Sequence, residues 1–549
     1  MISSITFGDG GTDGWWTCVF LVVVLFTAYH LAVAVRRHFA IRKLGGTRAY
    51  LLANNPLSGL SNAVIVAENK VGTYRIVRLM SKFAQNKTAE LNDEIYNSLP
   101  PESRNVYEYQ FFPGSRTIET REPAHVKAIL ATDFYSFGKG PNFHKMWYPF
   151  LGDSIFATDG KLWHNSRSLI RPMFMTDRLS DLIIFERQIE KMMKYIPPSG
   201  QTVEMMDLFF RMTMDVTTDF LLGESANSLD YPNSEFTHAF NDVLVRQIRI
   251  LMLRLFSPFD KLFSKKEYYR DIKVIDQFIM PYIKQTLAIP PEELEKLTKS
   301  DVEFTFLHNL ARFTRDPKVI RDQLIAILLA GRDTTAGTLS WVFYELAAYP
   351  DKVDRLRAEI LEFVGENGTP TYETLKNMKY LRYVLQETLR IHPAVPSNGK
   401  LLTLQTKRPY VCKIKEALAD TVLPGAPGAP SISVLKGDTV CYSPMTLHSR
   451  RDLYPPVSEQ FADPSLFSPE RWYVWQPRPW EYIPFNGGPR ICPGQNFAMT
   501  EMAYCLVKIF QKYDRIEYRG DWHGQQDTRA IISRPTLGVP VAFYAAKRD

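Results

Sequence analysis

Apolar residues along the chain fall into runs of three kinds. Residues 15–35, WWTCVFLVVVLFTAYHLAVAV, are apolar on every side and carry no formal charge. A helix rising 1.5 Å per residue over this stretch covers a hydrocarbon core of ~30 Å, so a membrane-spanning anchor is predicted. A secretory signal peptide would have a shorter apolar region, basic residues before it and a small-residue cleavage pattern. Here the basic cluster Arg36, Arg37, Arg42, Lys43 and Arg48 follows the run, and Asp9 and Asp13 precede it. The positive-inside bias therefore places the rest of the chain on the cytoplasmic side, with Trp15 and Trp16 suited to the far interface. No second uncharged stretch of comparable length follows, so a single-pass protein is expected.

The second kind of run has helical periodicity, as in residues 203–223 (VEMMDLFFRMTMDVTTDFLLG) and 321–349 (RDQLIAILLAGRDTTAGTLSWVFYELAAY). The third is short, strand-like and broken by turns, and it concentrates at residues 393–444. The expected class is mainly α with a smaller β part. No internal repeat or low-complexity tract interrupts it. The division read from these patterns is an N-terminal segment at 1–14, a transmembrane anchor at 15–35, a basic connector at 36–60 and one large body at 61–549.

Composition changes this picture little. Of 549 residues, 45% are hydrophobic, 23% charged and 13% aromatic, which describes an ordinary globular body with enough Phe and Tyr to line large apolar cavities. The net charge of +7 is partly the basic cluster, and acidic and basic residues alternate elsewhere, so no nucleic-acid face is implied. Cys18, Cys412, Cys441, Cys492 and Cys505 form neither a CxxC pair nor a zinc spacing, which argues against a disulfide framework or a structural zinc site.

Cys492 needs a separate explanation. It lies in FNGGPRICPG (485–494), a Gly/Pro-rich loop directly before the helix-compatible QNFAMTEMAYCLVKIFQKY. At a helix N-terminus the dipole and unpaired backbone N–H groups stabilise a thiolate. A lone cysteine on a turn is ordinarily structural. This loop, however, resembles the cytochrome P450 signature FxxGxRxCxG at all five fixed positions, Phe485, Gly488, Arg490, Cys492 and Gly494. At average residue usage, such a match arises by chance in fewer than about one in ten thousand chains of this length. The resemblance implies that Cys492 is the axial ligand of haem iron, that Phe485 packs near the thiolate, that the glycines make the turn and that Arg490 pairs with a haem propionate. A thiolate ligand pushes electron density onto the iron and favours O–O cleavage.

Further motifs occur upstream in the family's order. AGRDTT (330–335) resembles its oxygen-activation pattern, and helical spacing puts Ala326, Ala330, Asp333, Thr334 and Gly337 broadly on one side, leaving small residues where a flat cofactor could approach. Asp333 and Thr334 supply a carboxylate beside a hydroxyl, the groups of a proton relay. Alone, a mid-helix Asp-Thr-Thr is as readily solvent-facing or a local kink. ETLR (387–390) and PERW (469–472) match the segments that form a Glu387, Arg390, Arg471 network bracing the fold near the thiolate loop, although ExxR alone is a common helix pair. Trp163 and Arg167 fit WxxxR, whose side chains in the family reach a propionate.

The implied architecture is the P450 fold, a triangular haem-binding helical domain at 61–549, preceded by one transmembrane helix. The resemblance implies haem b (iron protoporphyrin IX), electrons from NADPH through NADPH–cytochrome P450 reductase, with cytochrome b5 as a further donor, and a location on the cytosolic face of the endoplasmic reticulum membrane. From residue 137 onward the chain looks like the fungal microsomal P450s that hydroxylate n-alkanes and fatty acids, and Arg332 within the oxygen motif is typical of that branch. The implied reaction inserts one oxygen atom into a C–H bond of a lipophilic substrate. Two alternatives stand beside it: tailoring of a polyketide, peptide or terpenoid, and a haem protein that only binds ligands or carries electrons. Asp333 and Thr334 argue against the last, since simple binding needs no proton relay.

The sequence departs from that branch in two places. KLLTLQTKRPYVCKIKEALADTV follows Gly399 where a short strand is usual, about fifteen residues more than typical loop lengths require. The strand arginine is replaced in register by Lys400. Either residues 400–416 hold a surface insertion, or they retain intron sequence; the second is favoured by the family-like pattern that cutting the segment out restores. After the anchor, a proline-rich hinge is usual, but only Pro56 stands nearby, which predicts a looser connection.

Overall fold

The structure is a computed structural model that describes residues 13–53, 94–109, 116–175, 179–255, 264–297, 304–396, 415–426, 428–527 and 532–545. The longer helices are α1 (Asp13–Lys43), α2 (Gly140–Leu151), α3 (Gly160–Phe174), α4 (Leu179–Met193), α5 (Met205–Leu222), α6 (Glu235–Leu255), α7 (Lys266–Ala288), α8 (Pro317–Leu346), α9 (Pro350–Phe363), α10 (Lys379–Ile391) and α11 (Gln495–Lys512). The strands are β1 (Tyr50–Ala53), β2 (Val106–Tyr109), β3 (Thr117–Thr120), β4 (Phe137–Gly138), β5 (Thr202–Glu204), β6 (Lys415–Ala417), β7 (Thr421–Leu423), β8 (Ile432–Val434), β9 (Thr439–Tyr442), β10 (Tyr513–Tyr518) and β11 (Pro540–Ala545).

Each helix that matters for the site has a local reason for its ends. Glu204 accepts a hydrogen bond from the Met206 N–H at the start of α5, and Gly223, in the left-handed region, ends it. Asp316 caps α8 by accepting from the N–H groups of Lys318 and Val319, with Pro317 at the first helical position. Helix α8 is apolar on nearly all sides because it runs through the centre of the body, where α5, α7, α10 and α11 all touch it. At Gly331 the approach to α5 is so close that a Cβ would lie 2.8 Å from Thr217 Oγ1. Two apolar cores flank α8. One joins α4, α5, α9, α10 and α11 around Phe209, Phe343, Tyr504 and Phe510. The other joins α2, α3, α6, α7 and α8 around Trp147, Phe150, Phe240 and Ile325.

The β part is larger than the sequence pattern predicts. A mixed six-stranded sheet has the order β1-β2-β3-β9-β6-β4, and β10-β11-β5 and β7-β8 form two smaller antiparallel sheets. Strands β1 to β5, β10 and β11 lie outside the 393–444 window, because short strands of two to six residues carry too little alternation to be read alone. The candidate insertion lies outside the described residues apart from Lys415 and Glu416. Those two belong to β6, where Lys415 pairs with Val440 and Glu416 with Thr439. Lys400, the residue in register with the family's strand arginine, lies outside the described residues.

Helix α1 contains the apolar run, and residues Trp15–Lys43 form the one described helix long and apolar enough to cross a membrane. The connector after it, as far as Ala53, is not loose; Pro56 lies outside the described residues. The Ser433 hydroxyl donates to the Ile41 carbonyl at 3.0 Å, the Gly46 N–H donates to that hydroxyl at 3.1 Å, and the Thr47 N–H donates to Ser431 O at 2.8 Å. Beneath lies a chain of alternating charges. Arg37 reaches Asp438, Arg116 pairs with Asp438 at 2.8 Å and with Glu108 at 2.7 Å, and Arg48 reaches Glu108. Glu108, Arg116 and Asp438 are buried. Burial alone would raise the Glu108 carboxyl, but Arg116 and Arg48 outweigh it and hold the group below the usual carboxylate range. Two members of the basic cluster, Arg37 and Arg48, are thus bound to buried acids.

Candidate active site

The loop before α11 and the middle of α8 face one another across a cavity of about 600 Å³, within the usual range for small-molecule sites. Phe485, Arg490, Cys492 and Gly494 line one wall, and Ala330, Gly331, Arg332, Asp333, Thr334 and Thr335 line the other. Phe143, Trp147, Phe210, Leu244, Ile248 and Ile327 close it with apolar surface. Ala326 and Gly337 are not on this wall: Ala326 is buried among core residues, and Gly337 packs against the Ser533 carbonyl, 2.5 Å from where a Cβ would sit. The spacing argument gave the right face only over the central turn, because a helix crossing a body this wide meets the cavity for a short length.

The loop is held by its own backbone. The Cys492 N–H donates to the Phe485 carbonyl at 3.0 Å, closing the turn, and the residue is half-buried in the cavity wall. Gly488 has φ +61°, and a Cβ there would lie 1.9 Å from the Leu130 carbonyl oxygen, so only glycine fits. Arg167 Nη1 donates to the Ile491 carbonyl at 2.8 Å, and the Arg490 guanidinium lies 4.7 Å from the Trp163 ring centroid. Arg490 also donates to Asp159 Oδ1 at 2.7 Å and to the Thr158 carbonyl at 3.0 Å, yet its buried Nε has no partner among the described residues. Burial lowers the affinity of Arg490 for its proton, and Asp159 offsets this in part. Lys139 and Lys415 add two more cations to the lining.

On the opposite wall, the Thr334 hydroxyl donates to the Ala330 carbonyl at 2.6 Å, a one-turn bond that leaves its oxygen free to accept. Asp333 lies 3.2 Å from Arg332 Nη1, and Arg332 also donates to Asn241 Oδ1 at 2.6 Å from α6.

Behind the loop, Glu387 is fully buried and accepts from Arg390 Nε and Nη2 at 2.8 Å, Arg471 Nε at 2.8 Å, Ser468 N–H at 3.0 Å and Trp472 Nε1 at 3.0 Å. All three predicted network members meet. Trp472 packs on Tyr482, and the next residue, Ile483, donates its N–H to His448 Nε2 at 2.9 Å. The His448 ring must therefore carry its proton on Nδ1, which faces the Arg390 carbonyl at 3.2 Å, and burial pushes its pKa down to about 3, so it stays neutral. His448, Asp159, Asn486 and Lys415 were not found from sequence. Asn486, with φ +66°, accepts from Tyr442 at 2.8 Å and had a signal in the Asn-Gly turn of the loop; the others are distant in sequence and converge only on folding.

The cytochrome P450 family model matches residues 93–538. The chain belongs to the cytochrome P450 family. It is 45% identical over 455 residues to the cytochrome P450 monooxygenase pvhE of Talaromyces variabilis, covering 79% of this chain and 81% of that protein. It is 37% identical to cytochrome P450 52A13 of Debaryomyces hansenii, covering 74% and 78% of the two chains, and 38% identical to cytochrome P450 52A1 of Candida tropicalis, covering 74% of each. The crystal structure of the cytochrome P450DA heme domain shares the fold, with a TM-score of 0.66 at 19% identity over 85% of this chain and 94% of that one.

As a P450, the protein is a membrane-anchored monooxygenase that carries haem, takes electrons from a redox partner and acts on a lipophilic substrate. The residues present fit that cofactor. The haem of this family needs a thiolate for its iron, a slot between two walls and cations for two carboxylates. The cavity offers a partly exposed cysteine, the small residues Ala330 and Gly331, and Lys139, Arg167, Lys415 and Arg490, one of them with an orphaned buried Nε.

Proposed function

We propose that this P450 hydroxylates the terminal region of fatty acyl or alkane chains, on the cytosolic face of the endoplasmic reticulum membrane, with electrons from NADPH delivered by NADPH–cytochrome P450 reductase and cytochrome b5. Its cofactor is haem b, ligated by the Cys492 thiolate. The observation that carries this reading is the cavity itself, with Cys492 on one wall, Asp333 and Thr334 on the other, and an apolar aromatic lining between them. Arg490, Arg167 and Trp163 hold the propionate side, while Phe485, Gly488 and Gly494 shape the loop. The bound haem supplies dioxygen binding and its reductive activation, by which one oxygen atom enters a C–H bond and the other leaves as water. Thr334, its own proton directed to the Ala330 carbonyl, would offer an acceptor oxygen on the cofactor side of the cavity, and Asp333, beside Arg332, would hold and pass protons to it. The Glu387, Arg390 and Arg471 network holds the loop in place.

A second reading, tailoring of a secondary metabolite, is favoured by the higher identity to the Talaromyces protein than to the 52-type yeast proteins. The test is a carbon monoxide difference spectrum of the reduced protein beside Cys492→Ala, followed by product analysis with fatty acids, alkanes and a metabolite panel. The parent should show the red-shifted Soret band of a haem thiolate and the variant should lose it. A parent lacking that band would overturn the ligand assignment, and turnover confined to the metabolite panel would overturn the substrate.

A further inference from the structure

Two short segments without regular structure line the cavity beside α8: Ala394 and Val395 after α10, and Ile532 and Arg534 near the C-terminus. Both are tied to α8 through one ring of contacts. His392, the residue that ends α10, lies flat on the Trp341 indole, with ring centroids 3.8 Å apart and planes 1° from parallel. Its Nε2 meets Glu345 Oε1 at 2.7 Å, so that nitrogen carries a proton and donates to the carboxylate. Trp341 Nε1 donates to Ser533 Oγ at 2.9 Å, and the Ser533 N–H donates to the Ala394 carbonyl at 3.0 Å. Beyond Val395, the Pro396 carbonyl accepts from the Ser443 hydroxyl at 2.7 Å, which fixes the far end of that segment.

These contacts close on themselves. Trp341 and Glu345 stand one turn apart on α8 and share a face, so one offers a flat ring and the other an acceptor to the same imidazole. Gly337, one turn before Trp341, lets the Ser533 carbonyl come so near that a Cβ would stand 2.5 Å from it. Trp341, Glu345 and Ser533 are buried, and with His392 they stand behind the cavity wall; the residues they hold form the wall itself. The two lining segments are therefore positioned against the Asp333–Thr334 turn by the helix that carries it.

We propose that His392 is a positioning residue that sets selectivity. Clamped between Trp341 and Glu345, it fixes how far Ala394, Val395 and Ile532 stand into the cavity. It thereby sets the room left beside the cofactor and the carbon of a chain that comes to rest there. Shifting an apolar wall by the width of one methylene changes which group fits, and discrimination at that scale is worth about tenfold or more. An aliphatic pair would fill the same space, but a flat stack that also aims a donor at a buried carboxylate fixes rotation as well as distance. The choice of reacting carbon rests on the hydroxylase reading above; the room beside the cofactor does not.

The experiment compares the full-length, haem-loaded parent with His392→Ala, Ser533→Ala and Trp341→Phe. Spectral titration with imidazole and with N-phenylimidazole, both nitrogen ligands of haem iron, gives the ratio of their affinities, a readout independent of turnover. His392→Ala should change that ratio about fivefold or more, while imidazole itself binds within about twofold of its affinity for the parent. Ser533→Ala and Trp341→Phe remove one hydrogen bond from its two ends and should shift the ratio alike. In turnover of a medium-chain fatty acid with reductase and NADPH, the ratio of terminal to subterminal hydroxylation should move about fivefold in His392→Ala at unchanged haem content. Either ratio staying within about twofold of the parent's, or both imidazoles weakening alike, overturns the proposal. Should His392→Ala not load haem, Ser533→Ala, which deletes one hydroxyl and keeps the backbone bond to Ala394, decides alone. If the parent hydroxylates no fatty acid, the substrate reading has failed and the imidazole ratio decides the role of His392.

Discussion

Replacing Glu387 by glutamine changes one oxygen to an amide and leaves the shape of the side chain intact, so the result reads charge and hydrogen bonding alone. The carboxylate takes five hydrogen bonds, three from guanidinium groups at 2.8 Å and two from Ser468 N–H and Trp472 Nε1 at 3.0 Å. Glutamine keeps one acceptor oxygen. If that oxygen takes the place of Oε1, the amide NH₂ confronts Arg390 Nε and Trp472 Nε1, donor against donor. Arg390 and Arg471 are 2% and 1% exposed, and both lose their shared counter-charge. Arg471 keeps the carbonyls of Ala462, Asp463 and Leu466 at 3.0–3.2 Å, and Arg390 keeps the Leu466 carbonyl at 3.3 Å, which soften the loss without cancelling charge.

Breaking one buried pair costs about 3–5 kcal/mol, and each charge-assisted hydrogen bond about 1.5–3, contributions that overlap and do not add. The expected loss is about 4 kcal/mol or more, a large share of a total stability of about 5–15 kcal/mol. The assay is urea unfolding of haem-loaded parent and variant, followed by far-ultraviolet circular dichroism at equal protein concentration, with loss of the carbon monoxide band recorded in parallel. The pH dependence adds a sign. Burial would raise the Glu387 carboxyl, but Arg390 and then Arg471 hold it below the ordinary range. Its contribution is therefore present at neutral pH and lost as pH falls below the ordinary carboxylate range toward the depressed value. Glu387→Gln should lack that acid-side loss. A variant that unfolds within about 1 kcal/mol of the parent at neutral pH would refute the reasoning, because a buried network worth so little could not brace the loop.

Gly488→Ala should disturb the loop from its backbone outward, since φ +61° strains any L side chain and the new Cβ meets the Leu130 carbonyl at 1.9 Å; haem content per protein should fall severalfold, and an absorbance ratio matching the parent would count against the loop's assigned role. Glu119 in β3 is buried, with no ion pair among the described residues, and its pKa is pushed up to about 7, chiefly by burial. Because the folded state holds this proton longer than the unfolded chain, the parent should lose stability as pH rises from about 4.5 to about 7, by no more than about 3 kcal/mol. Glu119→Gln should flatten that slope in urea midpoints measured across the range; an unchanged slope would show that Glu119 ionises normally.

Much of the protein was legible from sequence because its signals are local. The anchor is a run of uncharged residues that needs no partner to be recognised, and α5, α8 and α11 announce themselves by period and by their flanking turns. The thiolate loop is legible because the family signature it resembles is contiguous, from Phe485 to Gly494. Arg390 and Glu387 likewise meet because i and i+3 share a helix face.

Folding decided what depends on distance in space. Arg471 and Glu387 meet only because a loop returns to α10, and His448 enters that assembly through a carbonyl and an N–H that no side-chain pattern encodes. The six-stranded sheet gathers strands from residue 50 to residue 442, too short and too scattered for alternation to show. The same gathering fastened the connector, turning Arg37 and Arg48 from apparent membrane cations into partners of buried Asp438 and Glu108. Glu501 shows the division most plainly. By sequence it is one more charge on an amphipathic helix, and only the fold buries it, which drives its carboxyl well above the ordinary carboxylate range.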